Sequence, residues 1–196
     1  MTRRFLVVGH RAATTPDFPI DDLTGAGGRM DLLLNAATAA LLVSHDIRRD
    51  AEVTLLLLGP PDPPRAVRFV GGEIESLHPD VRSNAALVRR ALARSTRIEW
   101  KASPGVYASK RGFSEILDAA PGRPVVLEEG GKDIRGVELP RDAMFVLSDT
   151  EDLTPEEDAT VRDRGAIRVS VGPRSIHTDH AIVIVHNEFD RREARP

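Results

Sequence analysis

The chain has no cysteine among its 196 residues, which excludes a disulfide framework, a thiolate nucleophile and a cysteine zinc site. The cytoplasm is the default expectation for such a chain. It also lacks any run of the roughly 18–20 apolar residues that a membrane span needs. The apolar stretch Phe5-Leu6-Val7-Val8 follows Arg3-Arg4 but leads at once into Gly9-His10-Arg11, too short for an export signal. A strong charge of either sign is missing: the net charge is −3, without the basic balance usual in a nucleic-acid-binding domain. Lysine is scarce, with Lys101, Lys110 and Lys132 set against 24 arginines, an excess that GC-biased coding explains for the most part.

What is present is an ordinary globular composition, 41% hydrophobic and 29% charged. The length suffices for one domain with a full core. No internal repeat or low-complexity linker divides it, so a single domain over residues 1–196 is expected. The basic residues gather in patches, Arg48-Arg49, Arg65 with Arg68, Arg89-Arg90-Arg94-Arg97-Lys101 and Lys110-Arg111, a grouping compatible with a phosphate backbone.

Periodicity gives alternating elements. Phe5–Val8 reads as a first strand, and apolar residues from Arg29 to about His45 recur at helical spacing. Val53–Leu58 is an unbroken apolar run, as in a strand covered on both faces. Ala66–Val70 is another strand, and Pro79 suits the first turn of a helix reaching about Arg94. Residues 95–112 read as a loop and Phe113–Ala120 as a short helix. Pro124–Leu127, Met144–Leu147 and Ile167–Val169 are strands. Thr154-Pro155-Glu156-Glu157 is a capping-box start for a helix to about Arg164. Ala181–Val185 fits a strand by its β-branched run and a helix by its flanks. The alternation predicts an α/β fold with a mainly parallel sheet.

Several clusters invite a chemical reading. Ser44-His45-Asp46 is no catalytic triad, because adjacent helical side chains diverge; the ordinary reading is a salt-bridging helix end with Arg48, Arg49 and Asp50. His177, His180 and His186 lack metal-ligand spacing, so no metal is expected. Gly25-Ala26-Gly27-Gly28-Arg29 opens a helix, a place suited to a phosphate, but it has neither P-loop nor dinucleotide spacing. Two strand ends stand out in the last third. Met144–Leu147 stops at Ser148-Asp149, and Ile167–Val169 runs into Ser170-Val171-Gly172-Pro173-Arg174-Ser175. Such ends are where an open α/β sheet binds a ligand.

The collinear segments Gly28-Arg29-Met30-Asp31, Ser44-His45-Asp46-Ile47-Arg48-Arg49-Asp50, Pro79-Asp80-Val81-Arg82-Ser83-Asn84, Phe145-Val146-Leu147-Ser148-Asp149 and His177-Thr178-Asp179-His180-Ala181 resemble the archaeal tRNA pseudouridine-54 N1-methyltransferases of the SPOUT superfamily. The resemblance runs from about Phe5 to Asp190. It implies a SPOUT-type fold, a mainly parallel sheet flanked by helices with a deep trefoil knot over about 123–190. It implies S-adenosylmethionine as cofactor, held by Leu127, by Ser148 and Asp149, by Ser170, Val171, Gly172, Pro173, Arg174 and Ser175, and by Ala181. It implies a homodimer with the site completed across the interface, a helical Ala181–Val185, and tRNA as substrate. Asp46 and Arg48 are the catalytic candidates, with Arg29, Arg48 and Arg49 as substrate ligands. Other readings left open are a different RNA site, a small C-nucleoside, or a non-catalytic RNA-binding or assembly protein.

Overall fold

The computed structural model describes residues 2–194. Its strands are β1 (Arg3–Gly9), β2 (Ala51–Leu57), β3 (Arg65–Val70), β4 (Trp100–Ser103), β5 (Val106–Ser109), β6 (Pro124–Asp133), β7 (Met144–Ser148) and β8 (Ile167–Ser170). Its α-helices are α1 (Met30–Leu41), α2 (Val81–Leu92), α3 (Phe113–Ala119), α4 (Pro155–Asp163) and α5 (Thr178–Glu193). All eight strands join one sheet in the order β4-β5-β3-β2-β1-β7-β6-β8. The five strands from β2 to β8 pair in parallel, and β3, β5 and β4 add an antiparallel flank.

The uninterrupted apolar strands are explained by cover on both faces. Phe5 and Val7 of β1, with Phe145 and Leu147 of β7, pack into the layer under α1, α2 and α5. Leu6, Val8 and Val146 point the other way, into a smaller layer with Ile116 and Leu117 of α3 and Val161 of α4. Burying each such side chain contributes about 1.5–3 kcal/mol. β2 follows the same alternation: Val53, Leu55 and Leu57 enter the larger layer and Leu56 the smaller one, while Glu52 stays half-buried.

Four sequence expectations are corrected. The first helix ends at Leu41, not near His45, because Leu42 takes extended backbone and pairs antiparallel with Ile47. Ser44, His45 and Asp46 therefore lie in a closed loop beyond the helix, pinned where Arg48 N–H donates to the Leu41 carbonyl (2.7 Å). The second helix starts at Val81, with Asp80 accepting from Ser83 N–H as its N-cap, so Pro79 lies outside it. Residues 95–112 hold the β4–β5 hairpin. Its turn uses Gly105 at φ +70°, where an added Cβ would lie 2.3 Å from the Ile74 nitrogen; Pro-Gly is the pair that such a turn favours. Finally, β6 runs on to Asp133, leaving β8 after Leu127 and rejoining it at Lys132.

The ambiguous Ala181–Val185 stretch is helical, inside α5. This helix crosses the sheet alongside α1 and is tied at both ends. At one end Thr178 Oγ1 donates to the Ser148 carbonyl (2.6 Å). At the other, Asp190 accepts from Arg3 (2.6 Å) and twice from Arg48 (3.0 Å each), and Glu193 also accepts from Arg3 (3.0 Å). Between them His186 is buried, and that burial, with Arg48 and Arg3 nearby, pushes it down to about 4. The neutral ring then donates from Nε2 to the Ala40 carbonyl (3.0 Å) and receives Arg3 at Nδ1 (3.3 Å).

Candidate active site

The carboxyl ends of β6, β7 and β8 and the first turns of α1 and α5 enclose a cleft of about 510 Å³, within the range of small-molecule sites. β1 has β2 on one side and β7 on the other, both parallel, so the chain reverses its direction of travel across the sheet here. A switch point of this kind leaves an open crevice beyond the strand ends.

The cleft gathers nearly all of the residues expected at it. Leu127 comes from β6, Ser148 and Asp149 from the end of β7, and Ala181 from the first turn of α5. The loop after β8 supplies Ser170, Val171, Gly172, Arg174 and Ser175; Pro173 of the same loop is not part of the wall. Ser170 Oγ receives Gly172 N–H (3.2 Å) and fixes the turn. A Cβ built on Gly172 meets no protein atom within 4 Å, so a side chain there would enter open space. Arg29 reaches the cleft from the start of α1. Glu128, Glu129, Glu151, Asp152 and Asp179 also line it, residues the sequence reading did not single out. A hydrogen bond from Ser175 holds the Glu129 carboxyl below its usual range.

Asp46, Arg48 and Arg49 stand elsewhere. The 12 residues of α1 separate Arg29 from their loop, about 18 Å along the helix axis. Arg48 is engaged by Asp190, and Arg49 donates to the carbonyls of Gly71 (3.3 Å) and Ile74 (2.9 Å). Asp46 is exposed and accepts from its neighbour Ile47 N–H (2.6 Å), which, with Arg49, keeps its carboxyl below the ordinary range. Among the described residues no cluster of three or more His, Asp or Glu side chains is placed to hold a metal ion.

The cleft wall rests on a histidine that no motif flagged. His10, just past β1, lies between two carboxylates: its backbone N–H donates to Asp149 Oδ2 (3.1 Å), its Nδ1 faces Asp149 Oδ1 (3.4 Å), and its Nε2 faces Glu157 (2.9 Å). Burial pulls the ring's pKa down, but the hydrogen bonds and charges of Glu157 and Asp149 outweigh it and raise the value above 6.5. Glu157 is the capping-box residue of α4, where it also accepts from Thr154 N–H (2.9 Å). One carboxylate thus caps a helix and braces the cleft.

The profile of a protein family described as "Putative SAM-dependent RNA methyltransferase" matches residues 2–194. The chain belongs to this methyltransferase family. Similar relatives include proteins named tRNA (pseudouridine(54)-N(1))-methyltransferase. That of Methanocella arvoryzae is 49% identical over 192 residues, covering 97% of this chain and 100% of the relative. That of Halobacterium salinarum is 45% identical over 192 residues, covering 96% of each. Among solved structures, Archaeoglobus fulgidus Nep1 bound to S-adenosylhomocysteine matches the fold with a TM-score of 0.67 at 16% identity, over 100% of both chains.

In this methyltransferase chain Arg29 combines strain with a place at the cleft. Its φ of +65° is left-handed, and its guanidinium is turned onto Asp31 (3.1 and 3.3 Å). Such backbone costs a non-glycine residue about 1–2 kcal/mol. In Arg29→Gly the relief offsets the roughly 0.5–1 kcal/mol that glycine adds to the entropy of unfolding. The variant is expected to melt no lower than the parent in calorimetry while its methyl-transfer rate drops. A clear fall in melting temperature would show that the arginine is kept for folding, not for the site.

Proposed function

We propose that the chain transfers a methyl group from S-adenosylmethionine to N1 of pseudouridine 54 of tRNA. The observation that carries this is near-complete kinship, 49% identity over 97% of the chain, with a relative named for that reaction. The cleft fits the cofactor. Leu127, Leu147 and Val171 offer apolar walls for an adenine, and the open Gly172 position leaves room for it. Carboxylates at Glu128, Glu129 and Asp179 favour a cationic ligand. When bound, S-adenosylmethionine supplies an already activated methyl group, so the protein chiefly orients donor and acceptor.

Asp46 takes up the N1 proton, directly or through water. Its loop lies at the far end of α1 from the cleft of its own protomer, so this reading requires a second copy. Support comes from exposed apolar side chains on the α1–α5 layer. Ile176 stands at the cleft end, Val183 midway along α5, and Val43 beside the Asp46 loop. A two-fold axis near Val183 would set the Val43 end of one protomer against the Ile176 end of the other, as an isologous interface demands. Asp46 would then face the partner's cleft, with Arg49 beside it and Arg29 opposite as substrate ligands, while Arg48 holds the loop through Asp190. The same reading makes residues about 123–190 the knotted part of a SPOUT fold.

The test is a tRNA transcript carrying pseudouridine 54, incubated with the protein and S-adenosylmethionine, digested and analysed by mass spectrometry. A 14-Da gain, the mass of one methylene, is expected in the nucleoside at position 54 and not in a transcript with uridine there. A methyl group at another position, or none despite cofactor binding in calorimetry, would overturn the assignment.

A further inference from the structure

The face of α2 that points away from the core carries charge that the site does not use. Asn84, Ala85, Val88, Ala91 and Leu92 are buried on one side of this helix. On the other, Arg82 and Arg90 are exposed and eight positions apart, with Ala86 between them, which puts them on one stripe; Arg94, also exposed, follows just past the helix end. From Val81 through Ile98 the sequence has five arginines and no acidic residue, in a chain of net charge −3. Many arginines among the described residues are tied to a carboxylate or a carbonyl. Arg89 donates to the Pro16 carbonyl (2.7 Å) and Arg97 to Glu115 (2.7 Å). In contrast, the side chain of Arg90 has no hydrogen-bond or ion-pair partner among the described residues, that of Arg82 has only the nearby charge of the N-cap Asp80, and Arg94 lies over the Trp100 ring (5.0 Å to the centroid). Ile98, just past the stripe, is 82% exposed, the most exposed large apolar side chain among the described residues.

The stripe is placed to serve a ligand that also reaches the cleft. α2 packs against α1, where Asn84 donates to Thr38 (3.2 Å). Its later turns lie at the same edge of the sheet as the cleft, since Arg65 at the start of β3, opposite the carboxyl end of β2, donates to the Leu92 carbonyl (3.1 Å) and Arg89 reaches the loop after β1. The 12 residues of α2 span about 18 Å, the reach of several successive phosphates and far more than a mononucleotide needs.

We propose that this face of α2 docks the phosphate backbone of the tRNA, away from the nucleotide that reacts. The inference rests on the reading of the chain as a tRNA methyltransferase and adds the surface that holds the body of the substrate. Contacts of this kind position an RNA without reading its sequence. Each releases counterions, so each leaves its mark in the salt dependence of binding.

The experiment compares the parent with a triple variant, Arg82→Gln, Arg90→Gln and Arg94→Gln, and with a control variant, Arg135→Gln and Arg141→Gln, at exposed positions outside α2. tRNA affinity is measured by filter binding from low to moderate salt, and S-adenosylhomocysteine affinity by calorimetry. The triple variant is expected to bind tRNA at least about tenfold more weakly, with the slope of log K against log salt reduced by about 2. Its cofactor affinity should stay unchanged, as should tRNA binding by the control. If the triple variant keeps the parental affinity and slope, the α2 surface is not a docking site, although the methyltransferase reading stands. If the parent itself binds no tRNA, the reading of the function falls and takes this inference with it.

Discussion

Asp46→Asn leaves cofactor affinity within about twofold of the parent and slows single-turnover methylation by about 10²- to 10⁴-fold, the usual contribution of a positioned proton acceptor. The substitution preserves shape in a side chain that is 69% exposed and bonded only to Ile47 N–H and Arg49, so folding should be spared. The backbone hydrogen bond from Ile47, aided by Arg49, keeps the carboxyl ionised throughout the neutral range, and the loss of rate should therefore not be recovered by raising the pH. A complementation assay tests the geometry. Gly172→Leu fills the cleft and is expected to be inactive through loss of cofactor binding. In the proposed dimer, mixing it with Asp46→Asn should restore about a quarter of the parental rate, because half of the dimers would be mixed and each would have one intact site. Full activity of Asp46→Asn, or failure of the mixture to recover any, would remove Asp46 from a site shared between protomers.

The second large effect falls on His10. Its ring separates Asp149, whose side chain is 1% exposed, from the nearly buried Glu157. Taking away one partner of such a group typically costs about 3–5 kcal/mol, because uncompensated charge stays buried. The lower end is expected for His10→Ala, since Asp149 keeps the His10 and Glu151 backbone donors and Glu157 keeps Thr154. At this chain length about 3 kcal/mol lowers the melting temperature by roughly 6–12 °C. Cofactor affinity should drop with it, as the Asp149 loop loosens. The pH dependence has a definite sign. The folded-state pKa of His10 is raised above its unfolded value, so the stability it adds is fully present below about pH 6.5 and fades as the pH rises through the folded value. The gap between parent and variant, followed by calorimetry, should be widest near pH 6 and shrink in alkaline solution. A gap independent of pH would mean that His10 acts by packing alone.

The sequence made some of this legible for clear reasons. β1 and β7 could be read because both of their faces are covered, which forces continuous apolar runs. The cleft could be located because strand ends followed by Ser-Asp or a Gly-Pro loop are open by construction. Elsewhere the signals were local and the causes were not. The apolar period of α1 runs on to Leu42, yet Ile47 draws that residue into a bridge. The four-residue strands of the β4–β5 hairpin are too short to show alternation, and only Pro104-Gly105 marked them. The β-branched Ile182-Val183-Ile184-Val185 run suggested a strand, but packing against α1 and the tie of Thr178 to Ser148 decide for helix. His10 had no motif at all, because its partners lie 139 and 147 positions away.

The clasp between α5 and β1 also has a consequence in time. Arg3 lies at the start of the first strand with its side chain buried, and its partner Asp190 is 187 positions later. At about 5–20 residues per second, synthesis takes roughly 10–40 s to supply that partner. Until then the buried guanidinium has only Asp50 (3.5 Å) as a carboxylate partner, and β1 lacks part of its final surroundings. Contacts of such long sequence separation slow folding. Folding around β1 therefore waits on the synthesis of α5, and the same helix whose first turn borders the cleft completes the fold when its last turn meets the first strand.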